Sequence, residues 1–368
     1  MKSSVSGTLL TVTLAVVLAA RPAWAEELDP KYKEVVNKGL AWVAKTQHRD
    51  GHWDANGGQY PTTMTALGGM VLLMEGSTIK DGKYAENIRK AVDWFMEPGR
   101  CQRNGLIGNP NNPTEAGRYM YGHGFGLLFL SQIYGEEEDA QRRKKLEGIL
   151  SRAVDFTGKA QTNRGGWGYV SASDGGGFDE GSVTVTQVQA LRAARDAGVP
   201  VAKSVIDKAH EYLKNCTTDA GGVIYSLAQG GHAARGGERP PLTAAAIACM
   251  FSAGEYESPL AKKWLEYCKT AIPIAQTGRS GHDEYMQYYY AQAMYTLGDQ
   301  GYEKLFPKSN ERDRLTWKKY REAMFAHLAR SQNSDGSWTG GYIGPIFTTT
   351  THLTILQLEN GTLPIYQR

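Results

Sequence analysis

Gln47-His-Arg-Asp-Gly51-His-Trp53, Gln161-Thr-Asn-Arg-Gly165-Gly-Trp167 and Gln332-Asn-Ser-Asp-Gly336-Ser-Trp338 are three copies of one pattern. Their starts are 114 and 171 residues apart, two and three times 57. A fixed period of this length marks a repeated supersecondary unit. Steps of 57 from Gln47 also reach Cys101-Gln102-Arg-Asn-Gly105, Thr217-Thr-Asp-Ala-Gly-Gly222 and Gln276-Thr-Gly278, each a glycine-bearing break in periodic sequence. The expectation is six units, complete at both ends.

Each unit reads as two helices. Tyr32, Val35, Val36, Leu40 and Val43 in the first unit follow the i, i+3, i+4, i+7 spacing of an amphipathic helix, as do Trp317, Tyr320, Met324 and Leu328 in the last. The second helix of a unit is apolar nearly all round, as in Met64–Met74 and Leu242–Phe251. A helix of that kind must be buried on every side. Six pairs then close as an inner ring within an outer ring, an all-α (α/α)6 toroid with a cavity at one end. The Gln…Gly…Trp segments fall where an outer helix stops and the chain turns inward. Their glycines suit a tight or left-handed turn, and their glutamines can donate to helix-end carbonyls. These motifs read as scaffold.

The chain has 368 residues, 41% of them apolar, enough for a substantial core. Lys2, the apolar run Leu9–Ala20 and Ala23-Trp24-Ala25 form a secretory signal peptide over residues 1–25, leaving residues 26–368 as one toroid. That run is too short to span a bilayer, so an exported protein without an integral membrane segment is expected. Removing Lys2 and Arg21 lowers the formal charge of +3 to near neutrality, which points to neither nucleic acid nor an anionic membrane as partner. Cys101, Cys216, Cys249 and Cys268 lack metal-site spacing, and Cys249 lies in an apolar helix where it acts as a small hydrophobe.

The three segments resemble the QW repeats of the squalene–hopene cyclase and protein prenyltransferase β-subunit superfamily. Gly361-Thr-Leu-Pro-Ile-Tyr-Gln-Arg368 and His282–Met294 look like exported single-toroid members from planctomycete-type bacteria. The resemblance implies a helical toroid and a site in its cavity. The chemistry it implies lacks its residues here. No Asp-x-Asp-Asp acid of the class II cyclases occurs, and the matching helix start reads Ser182-Val-Thr-Val-Thr186. No Asp-x-Cys stands where the prenyltransferase zinc site needs it, His352 has no cysteine in its own unit, and the Gly-Cys-Gly-Glu-Gln thioester is absent.

Inner-helix starts converge on the cavity mouth in such a ring, so polar residues there are the candidates. His282, Asp283 and Glu284 head one inner helix, and with His123 of Arg118-Tyr119-Met-Tyr121-Gly-His123-Gly-Phe125 they form the candidate acid/base set. The alternative is ordinary first-turn capping by Asp283 and Glu284 and a satisfied core histidine at 123. Tyr119, Asp179, Glu180, Tyr288 and His352 are candidate ligand contacts. Thr348–Thr351 form a hydroxyl-rich helix start, and a loop carrying His232, Arg235 and Arg239 can reach over the mouth. The glycine-rich Asp174–Gly181 reads as a cap over the cavity, because it lacks the Lys-Ser/Thr and the strand of a phosphate loop. No cofactor or metal is implied. Three readings remain: a binding module for a small apolar or amphipathic ligand such as an isoprenoid, which leads; an enzyme of altered cyclase- or transferase-like chemistry; and a carbohydrate-active enzyme pairing Asp179 or Glu180 with Asp283.

Overall fold

A computed structural model describes residues 28–228, 237–252, 254–275, 277 and 282–367. The signal-peptide segment, His232, Arg235, Gln276 and Gly278 lie outside the described residues. Among the described residues there are twelve α-helices and no strand, only isolated bridges. The helices alternate outer and inner along the chain. They are α1 (Pro30–Thr46) and α2 (Pro61–Met74), α3 (Ala85–Met96) and α4 (Tyr119–Tyr134), α5 (Ala140–Ala160) and α6 (Gly181–Asp196). Then follow α7 (Lys203–Asn215) and α8 (Pro240–Ser252), α9 (Pro259–Ala271) and α10 (Asp283–Leu305), α11 (Trp317–Ser331) and α12 (Pro345–Gln357).

The even-numbered helices pack each on the next, and α12 returns to α2, so the inner ring is closed. Each odd-numbered helix lies outside it, most closely against the inner helix that precedes it, with α1 against α12. Burial matches the two sequence patterns. All of α2 is buried, whereas α1 buries only the stripe Val35, Val36, Gly39, Leu40 and Val43. No described helix is long and apolar enough to cross a membrane.

The repeated turns hold the ring by three shared devices. First, Gly51, Gly105, Gly165, Gly221 and Gly336 all have positive φ, from 92° to 100°. A Cβ on Gly51, Gly165 or Gly336 would stand within 2.4 Å of the carbonyl oxygen of Lys90, Lys208 or Lys38, each on the next outer helix. Only glycine permits both the conformation and that approach. Second, the glutamine amide spans two units: Gln47 donates to Gly51 O and Asn87 O, Gln161 to Gly165 O and Val205 O, Gln332 to Gly336 O and Val35 O, at 2.8–2.9 Å. It reaches forward to the neighbouring outer helix, and Gln332 thereby joins the last unit to the first. Third, each indole N–H donates to a carbonyl of its own outer helix (Trp53 to Val43, Trp167 to Thr157, Trp338 to Leu328, 2.8–2.9 Å), while each tryptophan amide donates to an inner-helix threonine (Thr65, Thr184, Thr349, 3.0–3.1 Å). A buried polar group left unpaired costs about 1–3 kcal/mol, so these bonds make the position of each tryptophan specific.

Candidate functional site

Inner-helix starts and the loops feeding them surround a cavity of about 510 Å³. Tyr60 stands just before α2, Tyr121 in the first turn of α4, Tyr285 and Tyr288 in the first two turns of α10; Tyr169, Tyr225 and Tyr342 come from the loops. Met64, Leu67, Phe125, Leu242, Ile343 and Phe347 supply apolar wall. The charged or titratable members of the lining besides tyrosine are Arg118, Arg239 and His282, and no aspartate or glutamate is among its described residues.

The tyrosines are organised rather than scattered. The hydroxyls of Tyr169 and Tyr225 are hydrogen-bonded to each other, and the Arg118 guanidinium sits 4.7 Å from the centre of the Tyr169 ring. Tyr288 pairs at 3.1 Å with Tyr366, from the chain's last described turn, which closes the far end of the ring. Burial first, and the Glu180 charge second, push the Tyr121 hydroxyl well above the ordinary tyrosine range. Tyr60 holds a left-handed backbone, φ 53° and ψ 45°, directly before Pro61. That conformation is uncommon for a residue with a side chain, and such strain gathers at ligand sites.

Of the nine residues singled out from sequence, His282 and Tyr288 line the cavity. His282 is exposed at its mouth with its ring edge-on to Tyr342. Glu180 lies one layer behind. It caps α6 by accepting from the amides of Ser182 and Val183 at 3.0 and 2.7 Å, and it accepts from the Tyr121 hydroxyl at 3.2 Å. Burial raises its carboxyl above the usual range, opposed by those hydrogen bonds.

The other six lie outside the lining. Asp283 and Glu284 are buried at the start of α10. The Glu284 carboxylate lies against bare backbone, since a Cβ on Gly340 would fall 2.4 Å from it; burial, then the Asp283 charge, raises its pKa. Tyr119 accepts from the Ser171 amide at 2.8 Å and donates to Asp174. Asp179 has no exposed surface; it pairs with Arg164 and accepts from the Tyr212 hydroxyl, the Ser226 hydroxyl and the Leu227 amide. Both residues tie the glycine-rich loop to the scaffold. His352 is buried edge-on to Trp338, and burial lowers its pKa to about 3.

His123 has a specific structural reason to be buried. Its Nδ1 accepts from the Ile107 amide at 3.1 Å and its Nε2 pairs with the Thr157 hydroxyl at 2.8 Å. In the turns of units one, three and six the same amide is the tryptophan's, and it donates to Thr65, Thr184 or Thr349. In unit four Val223 donates to Thr243. His123 is thus the second unit's version of a scaffold threonine, and burial drops its pKa to about 3. It does not join His282, Asp283 and Glu284 in a cluster around the cavity.

The cavity-lining tyrosines that the sequence does not single out are Tyr60, Tyr169, Tyr225 and Tyr342, while Arg118, Tyr121 and Tyr285 stand beside its candidates without being among them. The available signal was aromatic residues at the last loop positions and first turns before buried helices.

No protein-family model matches the chain, and no curated protein matches it. Solved structures do share its fold. A variant of the type II terpene cyclase MstE from Scytonema, solved with its substrate geranylgeranyl dihydroxybenzoate, aligns with a TM-score of 0.55 at 13% identity, over 90% of this chain and 98% of that one. The α-1,6-mannanase from Salegentibacter aligns with a TM-score of 0.60 at 12% identity, over 89% and 98%. An inactive variant of that mannanase, with two aspartates replaced, is in complex with α-1,6-mannotriose and aligns with a TM-score of 0.60 at 9% identity, over 90% and 99%. The chain therefore has the helical toroid fold that the terpene cyclase and the mannanase share.

Proposed function

We propose that the protein binds a small amphipathic ligand, its apolar part against Met64, Leu67, Phe125, Leu242 and Phe347 and an anionic head held by Arg118 and Arg239. The observation that carries this reading is the lining itself: two arginines and no described carboxylate on a wall otherwise aromatic and aliphatic. The positive ends of the inner-helix dipoles lie at the same end of the ring, which also favours an anion. A volume of about 510 Å³ falls within the ~300–1,000 Å³ of small-molecule sites. An isoprenoid chain fits such a wall, and a toroid of this fold from Scytonema takes one. The carbohydrate reading has less support, because the related mannanase is inactivated by loss of two aspartates and acids do not face this cavity among the described residues. The amino-terminal signal-peptide pattern supports placing the binding event outside the cytoplasm, which the intact mass of the mature protein, cut after Ala25, would establish.

Calorimetric titration with farnesol, farnesyl diphosphate and α-1,6-mannotriose tests the reading. Charge-assisted hydrogen bonds contribute about 1.5–3 kcal/mol each, so the diphosphate is expected to bind at least about 10-fold more tightly than the alcohol, and the sugar not at all. Equal affinity for alcohol and diphosphate removes the anionic head from the proposal. Binding of mannotriose alone overturns it.

One observation favours a catalytic second reading. Glu180, raised in pKa, touches the hydroxyl of Tyr121, which faces the cavity. A protonated Glu180 could pass a proton inward through Tyr121 or Ser182. Incubating the protein with farnesyl diphosphate and with geranylgeraniol, and comparing Glu180→Gln, tests it: product formed by the wild type and lost in the variant supports catalysis, and no product with either substrate ends it.

A further inference from the structure

The turn of the first unit carries three polar side chains that the scaffold does not need. Where units three and six have Thr162 and Asn333, Gly166 and Ser337, Gly168 and Thr339, this turn has His48, His52 and Asp54. The backbone is the same in all three, because residue 48 donates to residue 52 at 2.9 Å as 162 does to 166 and 333 to 337. That turn sets its first and fifth side chains next to each other. In unit six they are Asn333 and Ser337, hydrogen-bonded at 3.1 Å; in unit one they are two imidazoles with ring centres 4.3 Å apart. Asp54 Oδ2 lies 3.4 Å from His48 Nε2 and 3.7 Å from His52 Nε2, and one ligand atom from each of the three residues lies within 4.8 Å of the others.

We propose that His48, His52 and Asp54 bind a divalent transition-metal ion of the zinc class, a site separate from the cavity. Zinc bonds of about 2.0–2.2 Å in tetrahedral geometry place ligand atoms about 3.3–3.5 Å apart, close to the two distances from Asp54. The donors are two imidazoles and one carboxylate, which suit zinc, copper or nickel rather than calcium or magnesium. His52 is already oriented for the task. Its Nδ1 lies 2.6 Å from Asp50 Oδ1, the carboxylate–histidine arrangement that leaves Nε2 as the metal-facing lone pair. Its ring is also stacked on Trp94, with centres 5.6 Å apart. His48 is the member that moves. The two imidazole planes are within 9° of parallel, so their lone pairs do not yet converge. His48, with 48% of its side chain exposed against 20% for His52, turns out of the stack to complete the site, and a water fills the fourth position.

The location gives the ion a consequence for the cavity. Asp54 leads directly into the loop in which Asn56 donates to Ile343 O at 3.0 Å and which ends at Tyr60. Ile343 and Tyr60 both line the cavity, so a bound ion fastens one side of its mouth to the outer shell.

Zinc chloride titrated into the untagged, chelator-treated full mature chain, read by calorimetry, is the test. One saturable equivalent is expected. His48→Ala and Asp54→Asn should each weaken it at least about 10-fold, and Asp50→Asn, which touches no metal, by about 10- to 100-fold through the orientation of His52. Long-range proton–nitrogen NMR should show the His48 and His52 ring nitrogens shifting together on addition of zinc, with His282 unmoved. No saturable equivalent, or an equivalent that survives both His48→Ala and Asp54→Asn unchanged, overturns the proposal. All four side chains are at least partly exposed, so thermal melts of the variants in metal-free buffer should match wild type, and a variant that melts early is replaced in the comparison by His48→Gln.

Discussion

The loops that join outer to inner helices contrast at their two ends. At the outer end, Gln47, Gln161 and Gln332 and the tryptophans six residues after each make the same hydrogen bonds in three units, at 2.8–2.9 Å from amide and indole alike. At the inner end the register of the cavity-facing residues slips. Tyr60 follows its tryptophan by seven residues, Tyr169 by two and Tyr342 by four, yet all three face one cavity. Repetition marks groups that bond to the scaffold, and its loss marks groups left facing space. The site of a repeat protein is better sought where the repeat fails than where it is strongest.

The largest effect should come from breaking the repeated end. Trp338 is 1% exposed and bonds both to Leu328 and to Thr349. Truncating a buried tryptophan costs about 3–5 kcal/mol, a large share of a stability of about 5–15 kcal/mol. Trp338→Ala should therefore lower the urea midpoint sharply without altering the affinity of the folded fraction for a cavity ligand. Lost affinity at unchanged stability would reverse the assignment of the two ends.

Asp179 tests the boundary between them. It is fully buried, pairs with Arg164 and accepts three further hydrogen bonds, one from Tyr212 of α7 and two from the loop after α7, that hold these to the loop before α6. Removing one partner of a buried ion pair costs about 3–5 kcal/mol; Arg164 is about one-third exposed, so Asp179→Ala should fall near the lower figure in denaturant unfolding. A loss under about 1 kcal/mol would mean that Asp179 serves the ligand instead.

Acid gives a graded effect. Burial lowers His123 and His352 from the ordinary 6.5 to about 3. The fold thus favours their neutral forms, and the unfolded chain binds protons first as pH falls. Stability from these groups is complete above about pH 6.5 and is lost as pH falls from there toward 3, by at most about 1.4 kcal/mol per pH unit for each histidine. Thermal melts from pH 7 to 4 should show this slope, and His123→Asn should make it shallower. An unchanged slope in that variant would exclude His123 as a source of it.

These contrasts also explain what the sequence made legible. The 57-residue period and the apolar inner helices led directly to a closed double ring, because each device recurs at a fixed place. Of the two readings of His123, the same comparison favours the satisfied core histidine: set beside Thr65, Thr184, Thr243 and Thr349, it stands in a column of buried acceptors. Asp283, Glu284 and Asp179 belong at inner-helix starts as expected, but a position near the mouth does not decide which way a carboxylate points. Here burial against Gly340 and pairing with Arg164 turned two of them from the cavity. Tyr169, Tyr225 and Tyr342 stand 56 and 117 residues apart, near the 57-residue period but out of register with it, and only the assembled ring brings them together.

The smallest effect on stability, and the sharpest on binding, belongs to the inner end. Arg118 is exposed in the mouth and rests on the Tyr169 ring at 4.7 Å, among the tyrosines of the lining. Surface substitutions that break no network stay within about 0.5 kcal/mol, so Arg118→Ala should melt with the wild type. If Arg118 holds an anionic head, the same change should weaken farnesyl diphosphate by about 10-fold or more, the equivalent of one charge-assisted bond, and leave farnesol nearly untouched. Arg118→Lys keeps the charge without the planar fork and should recover part of the loss. A variant that weakens alcohol and diphosphate equally would place Arg118 in the wall of the cavity, supporting Tyr169, and would leave the head group to Arg239 alone.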